Sequence, residues 1–374
     1  MNRKKILHLS LTKSIGGIAS FQKNLLNHTD SNAVVFEFVT TYPDSAFLPF
    51  LQEKHVKVHR LPPQKTVLPY CVSLYRLLKE EQYTAVHIHK NSCANPMAFL
   101  VCRMAGVKQV IAHSHNTASV GGRGADLFHF LFRPLVRRLS THKLACSTDA
   151  AMWLYGKKYC QKNDAVQIIK NGIDTKLFSY NEKVRQEVRA EFGWERRLVL
   201  GHVGNFIPQK NHFFLVDLIS EITQSEKAAI LLLFGRGDAM ERVREYAVQK
   251  GVAEHIEFMG ARTDIARFYQ AMDLFLFPSF HEGLPIAGVE AQTADLPCLF
   301  SDAVTKEIMI TDRAVSLPLD AGVSEWAKRA VSLAKTQERR NESEKIIAAG
   351  YDAAEMGKRM ERIYGQQSCH QSHP

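Results

Sequence analysis

The sequence predicts an α/β protein of two domains, each built on a parallel β-sheet with helices on both faces. Its 374 residues are 45% hydrophobic and 23% charged, which fits a folded chain of about two domains of roughly 100 to 200 residues each. Short β-branched apolar runs alternate with amphipathic segments in two separate series. Parallel strands need crossover helices that cover both sheet faces, so each series indicates one Rossmann-like domain.

The predicted elements follow one another in the order strand, helix, strand throughout each series. In the first series, strands are expected at 5–10, 33–40, 85–89 and 108–114, with helices at 17–28, 68–82 and 95–105. In the second series, strands are expected at 198–203, 228–234, 256–259, 274–277 and 297–300, with helices at 211–223, 238–250, 264–271 and 285–293. A final helix is expected at 353–364.

The two series are joined by residues 171–194, where a turn-rich Asn-Gly-Ile-Asp segment precedes a charged stretch. We therefore expect one domain at 1–190, a second at 191–350, and a last helix and tail at 351–374. Ligands of open α/β sheets bind at the carboxyl ends of the strands, so the two sheets are expected to face each other across a ligand-binding cleft.

The distribution of charged residues and cysteines indicates the kind of partner that the protein meets and the compartment in which it works. Residues 1–178 hold 24 Lys and Arg against 10 Asp and Glu, whereas the remainder holds 24 against 28. Such an uneven distribution indicates that the first half meets a polyanion, either nucleic acid or an anionic membrane surface. The seven cysteines are scattered, without a Cys-x-x-Cys pair, which favours a reducing cytoplasm over a disulfide framework or a structural zinc site.

The segment with the clearest chemistry contains Glu282 and Glu290. A buried strand precedes it, and a helix is expected to begin near Leu284 with Pro285 in its first turn, where a missing N–H costs nothing. The free backbone donors of such a helix attract phosphate. Glu290, about one and a half turns into the helix, has a carboxylate able to accept two hydroxyl hydrogen bonds.

The pattern Ser-x-x-Glu-Gly-Leu-Pro-x-x-x-x-Glu-Ala around Glu282 and Glu290 resembles the signature of the family 4 retaining glycosyltransferases, which have the GT-B fold. Gly16, His115 and Lys210 come before this segment, in the order in which the family has them, so the resemblance spans nearly the whole chain. It is nearest in character to the bacterial capsular and exopolysaccharide glycosyltransferases.

The resemblance implies a metal-independent hexosyltransferase of class EC 2.4. Its first domain would bind a hydroxyl acceptor, expected to be a lipid-linked saccharide. Its second would bind a nucleotide-sugar donor, with UDP expected from family habit. His115, Glu282 and Lys210 would be the catalytic residues. The donor-binding residues would be Gly16, Gly17, Asn205, Lys210, Arg236, Gly283, Leu284, Pro285 and Glu290, and no cofactor or metal ion is expected. The last helix would cross back to the first domain.

Negative charge builds on the leaving diphosphate as the sugar departs, and Lys210 is the expected counter-charge. A charged hydrogen bond contributes about 1.5 to 3 kcal/mol and a helix terminus about 0.3 to 1 kcal/mol, so the lysine should contribute most to stabilising the diphosphate.

The family usually has Arg at the position of Asn205, and a neutral amide does not replace a guanidinium. We hypothesise that Arg236 supplies part of the missing charge; the alternative is an ordinary loop arginine.

Two pairs of histidines, His87 with His89 and His113 with His115, alternate along strands, so each pair points to one sheet face. Metal ligation is disfavoured because no carboxylate or cysteine lies beside them at ligand spacing. The resemblance places His115 next to the transferred sugar.

The loop at Gly16 and Gly17 lacks Gly-x-Gly-x-x-Gly spacing, which disfavours a nicotinamide-binding fold and leaves a plain tight turn as the alternative.

Residues 127–139 place three arginines, Arg133, Arg137 and Arg138, among aromatic side chains. With the basic first half, this predicts peripheral binding to an anionic membrane at the cytoplasmic face; the alternative is that the aromatic side chains belong to the core.

Two other functions compete with the transferase. One is a catalytically silent relative that serves as a nucleotide- or lipid-binding scaffold, which the Asn205 replacement favours. The other is a nucleic-acid-binding protein, which the basic charge favours, although no aromatic and basic nucleic-acid-binding module is present and no nucleic-acid partner is expected.

Overall fold

The computed structural model describes residues 3–9, 11, 13, 16–116, 122–162, 165–335 and 339–366, with the side chains of 122–125 excluded. The chain divides into two compact units. The first comprises Met1–Gly172 together with Ala353–Pro374, and the second comprises Ile173–Asp352.

The first unit contains a parallel sheet of seven strands in the order β3-β2-β1-β4-β5-β6-β7. Its strands are β1 (Lys4–Leu9), β2 (Val34–Thr40), β3 (Val58–Arg60), β4 (Ala85–Lys90), β5 (Gln109–Ser114), β6 (His142–Ala145) and β7 (Gln167–Ile168). Its helices are α1 (Gly17–His28), α2 (Leu48–Glu53), α3 (Val67–Glu81), α4 (Met97–Met104), α5 (Gly122–Leu139), α6 (Thr148–Tyr155) and α7 (Lys157–Cys160).

Both faces of this sheet are covered, as parallel strands require. One core packs α3, α4 and α6 on the sheet and includes Leu74, Phe99 and Leu154. The opposite core packs α1 and α2 on the sheet and includes Phe21 and Leu51. The strands therefore carry buried residues on both sides, most of them apolar, and this produced the short apolar runs in the sequence.

The second unit contains a parallel sheet of six strands in the order β10-β9-β8-β11-β12-β13. Its strands are β8 (Leu198–Val203), β9 (Ala229–Phe234), β10 (Ile256–Gly260), β11 (Leu274–Phe277), β12 (Cys298–Ser301) and β13 (Ala314–Leu317). Its helices are α8 (Thr175–Phe178), α9 (Glu182–Phe192), α10 (His212–Ser225), α11 (Met240–Gln249), α12 (Ile265–Ala271), α13 (Ile286–Thr293), α14 (Gly322–Ala334) and α15 (Ser343–Ala348).

The structure divides the chain earlier than the residue 190 expected from the sequence. Helix α9 belongs to the second unit because Val188 lies in its core and Arg185 and Arg189 pair with Asp273, the residue before β11. The charged composition of α9 concealed this attachment, since charged helices are usually solvent-exposed and are therefore easily mistaken for linkers.

The last helix, α16 (Ala353–Gly365), is grouped with the first unit although it follows the second in sequence. Met360, Ile363 and Tyr364 lie in the core that contains α1, and a side chain at Gly357 would meet the carbonyl of His28 at 2.3 Å. The glycine thus allows the two helix backbones to approach closely. The expected tail beyond residue 366 lies outside the described residues.

Within the part of the chain that the structure describes, the helices are all too short or too polar to cross a membrane.

Candidate active site

In the second unit, three predicted site segments follow the carboxyl ends of three adjacent strands. Lys210 ends a short 3₁₀ turn (Pro208–Lys210) after β8, Arg236 follows β9, and Glu282 follows β11. Since β8 lies between β9 and β11, the three connections emerge along one edge of the sheet. This is the edge at which open parallel sheets bind ligands.

Lys210 and Glu282 form an ion pair, with the lysine Nζ 2.7 Å from the glutamate Oε1. Both side chains are largely buried, at 16% and 13% exposed. The Lys210 ammonium also lies 4.4 Å from the centre of the Phe277 ring, a cation–π distance. Gln209, which the sequence prediction missed, donates a second hydrogen bond to Glu282 Oε1 at 2.8 Å. These contacts hold the carboxylate and the ammonium in fixed positions relative to each other.

The turn after β9 packs backbone against backbone on the turn after β8. A side chain at Gly235 would lie 2.0 Å from the Gly204 carbonyl oxygen, and one at Gly237 would lie 2.5 Å from the Phe206 carbonyl oxygen. Both glycines have positive φ, which other residues rarely adopt. The Phe206 amide donates to the Arg236 carbonyl at 2.9 Å, so these glycines bring Arg236 next to the Asn205 segment.

Asn205 and Arg236 are both exposed at this edge. The two turns are in contact, so the Arg236 cation lies close enough to bind a ligand that also contacts the Asn205 turn. This supports the hypothesis that Arg236 supplies part of the charge that is missing at Asn205. The role of Arg236 stays a prediction.

The helix after Glu282 begins later than the sequence indicated. α13 starts at Ile286 rather than near Leu284, and Pro285 is its N-cap residue instead of lying in the first turn. No side chain caps this end of the helix, and Gly283 and Leu284 form the approach to it. Helix ends are the part of a sequence prediction that is routinely displaced by one or two residues.

Glu290 lies in the middle of α13, with its Oε2 3.1 Å from the Tyr269 hydroxyl, which lies at the same distance from the Ala287 carbonyl oxygen. Burial, and then the nearby Glu290 carboxylate, raise the pKa of Tyr269 well above its usual value, so the phenol stays protonated and donates. Tyr269, which the sequence prediction missed, thereby orients the carboxylate. Glu290 itself is only partly buried.

In the first unit, Gly16 is the N-cap residue of α1 and Gly17 is its first residue. A side chain at Gly16 would meet no described atom within 4 Å, and neither glycine has a positive φ. Packing therefore does not require glycine at position 16. The open space there is compatible with a ligand approaching the backbone closely, as the sequence predicted.

His115 follows β5 and belongs to a cluster of five histidine rings on β1, β4 and β5. The other members are His8, His87, His89 and His113, which are at most 2% exposed. Burial lowers the pKa of His115 to about 3, so the ring is neutral at physiological pH. Each predicted pair does share a sheet face, but His8 was missed because a lone histidine in an apolar strand carries no local signal.

Three groups of described residues have ligand atoms close enough to hold a metal ion, within 4.8 Å of one another. Two are drawn from the histidine cluster: His8 with His87 and His89, and His89 with His113 and His115. The third joins Glu37, His59 and Glu81. In that group the Lys5 ammonium already lies 3.0 Å from Glu37, and Lys57 pairs with Glu81 at 2.6 Å, which describes an ion-pair network.

The aromatic and basic segment on α5 has two distinct sides. Leu127, Phe128, Phe130 and Leu131 are between 51% and 68% exposed, so these side chains do not belong to the core. Arg138 is exposed as well.

Two of the three arginines face inward instead. Arg133 donates to the Trp153 carbonyl at 2.9 Å, and the Arg137 guanidinium lies 4.8 Å from the Tyr159 ring centre.

Two sequence-family profiles match most of the chain between them. Residues 15–177 match Glycosyltransferase Family 4, and residues 197–336 match Glycosyl transferases group 1. The chain is 30% identical over 366 residues to EpsF of Bacillus subtilis (strain 168), which is named as a glycosyltransferase, and the match covers 94% of each chain.

A second relative is an Escherichia coli enzyme named UDP-Gal:alpha-D-GlcNAc-diphosphoundecaprenol alpha-1,3-galactosyltransferase. It is 27% identical over 243 residues, which is 62% of this chain and 61% of that enzyme. Among solved structures, Anabaena HepE in complex with UDP has a TM-score of 0.78 at 17% identity, covering 96% of this chain and 99% of that chain. The same protein in complex with UDP-glucose has a TM-score of 0.77.

Proposed function

The chain belongs to glycosyltransferase family 4 and has the GT-B fold, and from this premise we propose that it transfers a sugar from a UDP-sugar to a hydroxyl acceptor in polysaccharide synthesis. The observation that carries the proposal is the ion pair in which the Lys210 ammonium lies 2.7 Å from Glu282. Glu282 itself is four residues before Ile286, where α13 begins without a side-chain cap. A fixed cation and free backbone donors at one sheet edge are what a departing diphosphate requires.

The lysine can serve both partners at once. An ammonium has three N–H donors, so Lys210 can keep its bond to Glu282 while donating to a phosphate oxygen. Glu282, held by Gln209 and Lys210, then has its second carboxylate oxygen available for a sugar hydroxyl. Glu290, oriented by Tyr269, accepts the ribose hydroxyls, and His115 of the first unit contacts a sugar.

The reaction proceeds with retention of configuration. The acceptor oxygen forms a bond to the anomeric carbon on the face from which the diphosphate leaves, while the bond between that carbon and the phosphate oxygen breaks. The acceptor proton passes to the departing phosphate oxygen. Lys210 and the start of α13 offset the charge that develops there, which is a metal-independent form of electrostatic catalysis.

The names of the relatives support the choice of substrates. HepE was crystallised with UDP and with UDP-glucose, and the Escherichia coli galactosyltransferase uses an acceptor carried on diphosphoundecaprenol. We assign a UDP-sugar donor and a lipid-linked saccharide acceptor on this basis.

The exposed apolar side chains of α5 would insert at the anionic inner surface of the cell membrane, where such an acceptor lies. Arg138 is the α5 arginine placed to meet lipid phosphates, because Arg133 and Arg137 are engaged within the unit.

The test is a thermal-shift screen with UDP, GDP and ADP, followed by assay of UDP release from UDP-sugars with an undecaprenyl-linked saccharide as acceptor. A nucleotide at 100 times its Kd stabilises the protein by about 2.7 kcal/mol. We expect stabilisation by UDP that Glu290→Gln reduces. If the protein binds UDP without turning over any UDP-sugar, and if Lys210→Met and Glu282→Gln leave UDP binding unchanged, the result would instead support a nucleotide-binding scaffold.

A further inference from the structure

The first unit holds a lysine whose charge has no counterpart among the described residues. Lys90 ends β4, a strand that is buried as far as His89, and it is the residue of that strand that is partly exposed. It lies at the carboxyl end of the sheet, where its backbone oxygen accepts a hydrogen bond from the His115 amide at 3.3 Å. Open parallel sheets bind ligands at this end of their strands, so Lys90 is placed to meet a ligand of the first unit.

The Lys90 ammonium donates a hydrogen bond to the Asn95 carbonyl oxygen at 3.1 Å. An ammonium has three N–H donors, so this bond leaves two of them for a ligand. Within the described ranges, no Asp or Glu oxygen is at ion-pair distance from the ammonium. The connections that follow β4 and β5, residues 91–96 and 115–121, contain no acidic residue at all. The cation therefore has donors to spare and no carboxylate beside it.

The surroundings of the ammonium do not take the place of a carboxylate. Burial is the main influence on Lys90 and lowers its pKa to about 8, so the charged form still predominates at neutral pH. Helix α4 adds positive potential, because it begins at Met97, whose amide is held at 3.1 Å by Asn95 Oδ1, and the start of a helix carries a partial positive charge. Withdrawing a cation from water without an opposite charge is costly. An anion from outside the chain would supply that charge.

We propose that Lys90 binds an anionic group of the acceptor, so that the protein selects an acidic acceptor over a neutral one. The identity of this ligand as the acceptor rests on the proposed function. Two sources supply the same chemistry: the diphosphate that joins a saccharide to its lipid, and the carboxylate of an acidic sugar. Both present oxygen atoms that accept the two remaining N–H groups of the lysine.

The competing interpretation is that Lys90 only holds the connection at residues 91–96 through its bond to Asn95. The two interpretations predict different effects on stability. If the cation is kept for a ligand, its removal leaves Tm unchanged or raises it, because the cost of withdrawing the charge from water disappears. If the cation holds the connection, its removal lowers Tm.

The experiment measures binding of two matched pairs of acceptor analogues by calorimetry, on full-length protein with UDP saturating the donor site. One pair is N-acetylglucosaminyl farnesyl diphosphate and the uncharged farnesyl N-acetylglucosaminide. The other is octyl glucuronide and octyl glucoside. We expect the wild type to bind the charged member of at least one pair about tenfold or more tightly than its neutral partner, and that pair identifies the source of the anion. The absence of any such preference, or of any binding, overturns the proposal.

Lys90→Met removes the ammonium and keeps most of the length of the side chain. We expect this variant to lose the preference, with the charged analogue bound about tenfold or more weakly and its neutral partner within about twofold of wild type. We also expect its Tm without acceptor to equal or exceed that of the wild type. A preference that survives in folded Lys90→Met, or a lower Tm with equal weakening of both members of a pair, refutes the proposal.

Lys143→Met is the matched control. Lys143 is also partly buried, donates to a backbone carbonyl, that of Ser140 at 3.2 Å, and has its pKa lowered by burial. It lies near the amino end of β6, however, away from the carboxyl end of the sheet. We expect Lys143→Met to keep the wild-type preference for the charged analogue. Loss of the preference in both variants would show a general effect of basic charge and would overturn the assignment to Lys90.

Binding and turnover separate this proposal from the proposed function. If Lys90→Met loses the preference in a protein that turns over no UDP-sugar, the anion site stands and the transferase assignment fails. If sugar passes equally well to both members of each pair, in the wild type and in Lys90→Met, the transferase assignment stands and the anion site fails.

Discussion

Replacing Lys210 by methionine removes the ammonium and keeps most of the side chain's apolar length. A hydrogen bond to a charged group contributes about 1.5 to 3 kcal/mol, which at 1.36 kcal/mol per tenfold corresponds to a loss of roughly 10- to 150-fold in kcat/KM. We expect most of the loss in kcat, because the charge on the diphosphate increases as the sugar leaves. UDP release from the UDP-sugar, measured with saturating acceptor, gives both constants.

The same substitution also leaves the Glu282 carboxylate without its cation. An exposed ion pair contributes about 0 to 1 kcal/mol, and loss of one partner from a fully buried pair costs about 3 to 5 kcal/mol. With side chains 16% and 13% exposed, we expect an intermediate loss of about 1 to 3 kcal/mol in the free energy of unfolding. The double variant with Glu282→Gln should recover part of it, because the amide needs no counter-charge.

Lys183 provides the matched control, since it is in the same unit with its side chain 85% exposed. Lys183→Met should change the free energy of unfolding by less than about 0.5 kcal/mol and leave kcat/KM unchanged. The reasoning is refuted if Lys210→Met folds, binds UDP, and retains kcat/KM within threefold of wild type.

Four further substitutions test separate parts of the structure. Glu290→Gln should weaken UDP binding about tenfold or more by calorimetry, through loss of a charged acceptor; unchanged affinity would remove the ribose assignment. Arg236→Ala should raise the donor KM without lowering Tm, and an unchanged KM would end the compensation hypothesis. Leu131→Glu should reduce pelleting with anionic liposomes, whereas Val248→Glu, also exposed, should not. Gly235→Ala should lower Tm, since its methyl would lie 2.0 Å from a carbonyl oxygen; a wild-type Tm would contradict that packing.

Local patterns in the sequence predicted the fold class and the central strands of both sheets, but not the short strands β3, β6, β7 and β13. Alternating strand and helix periods depend on neighbouring residues, so they predicted two parallel sheets, and they placed β1 within one residue of its observed bounds. The pair of glutamates around the α13 start was found for the same reason, because both lie on one strand-to-helix connection. Helix starts were less exact, since capping and frayed turns are decided by a few contacts.

Contacts between distant segments were decided only by tertiary structure. Lys210 and Glu282 are 72 positions apart, and their ion pair exists because β8 and β11 are adjacent in the sheet. The cluster of five histidine rings likewise depends on the adjacency of β1, β4 and β5, and α16 brings the Tyr364 hydroxyl to 2.8 Å from His87. Periodicity shows which face a side chain takes, whereas strand order and register determine which side chain it meets there.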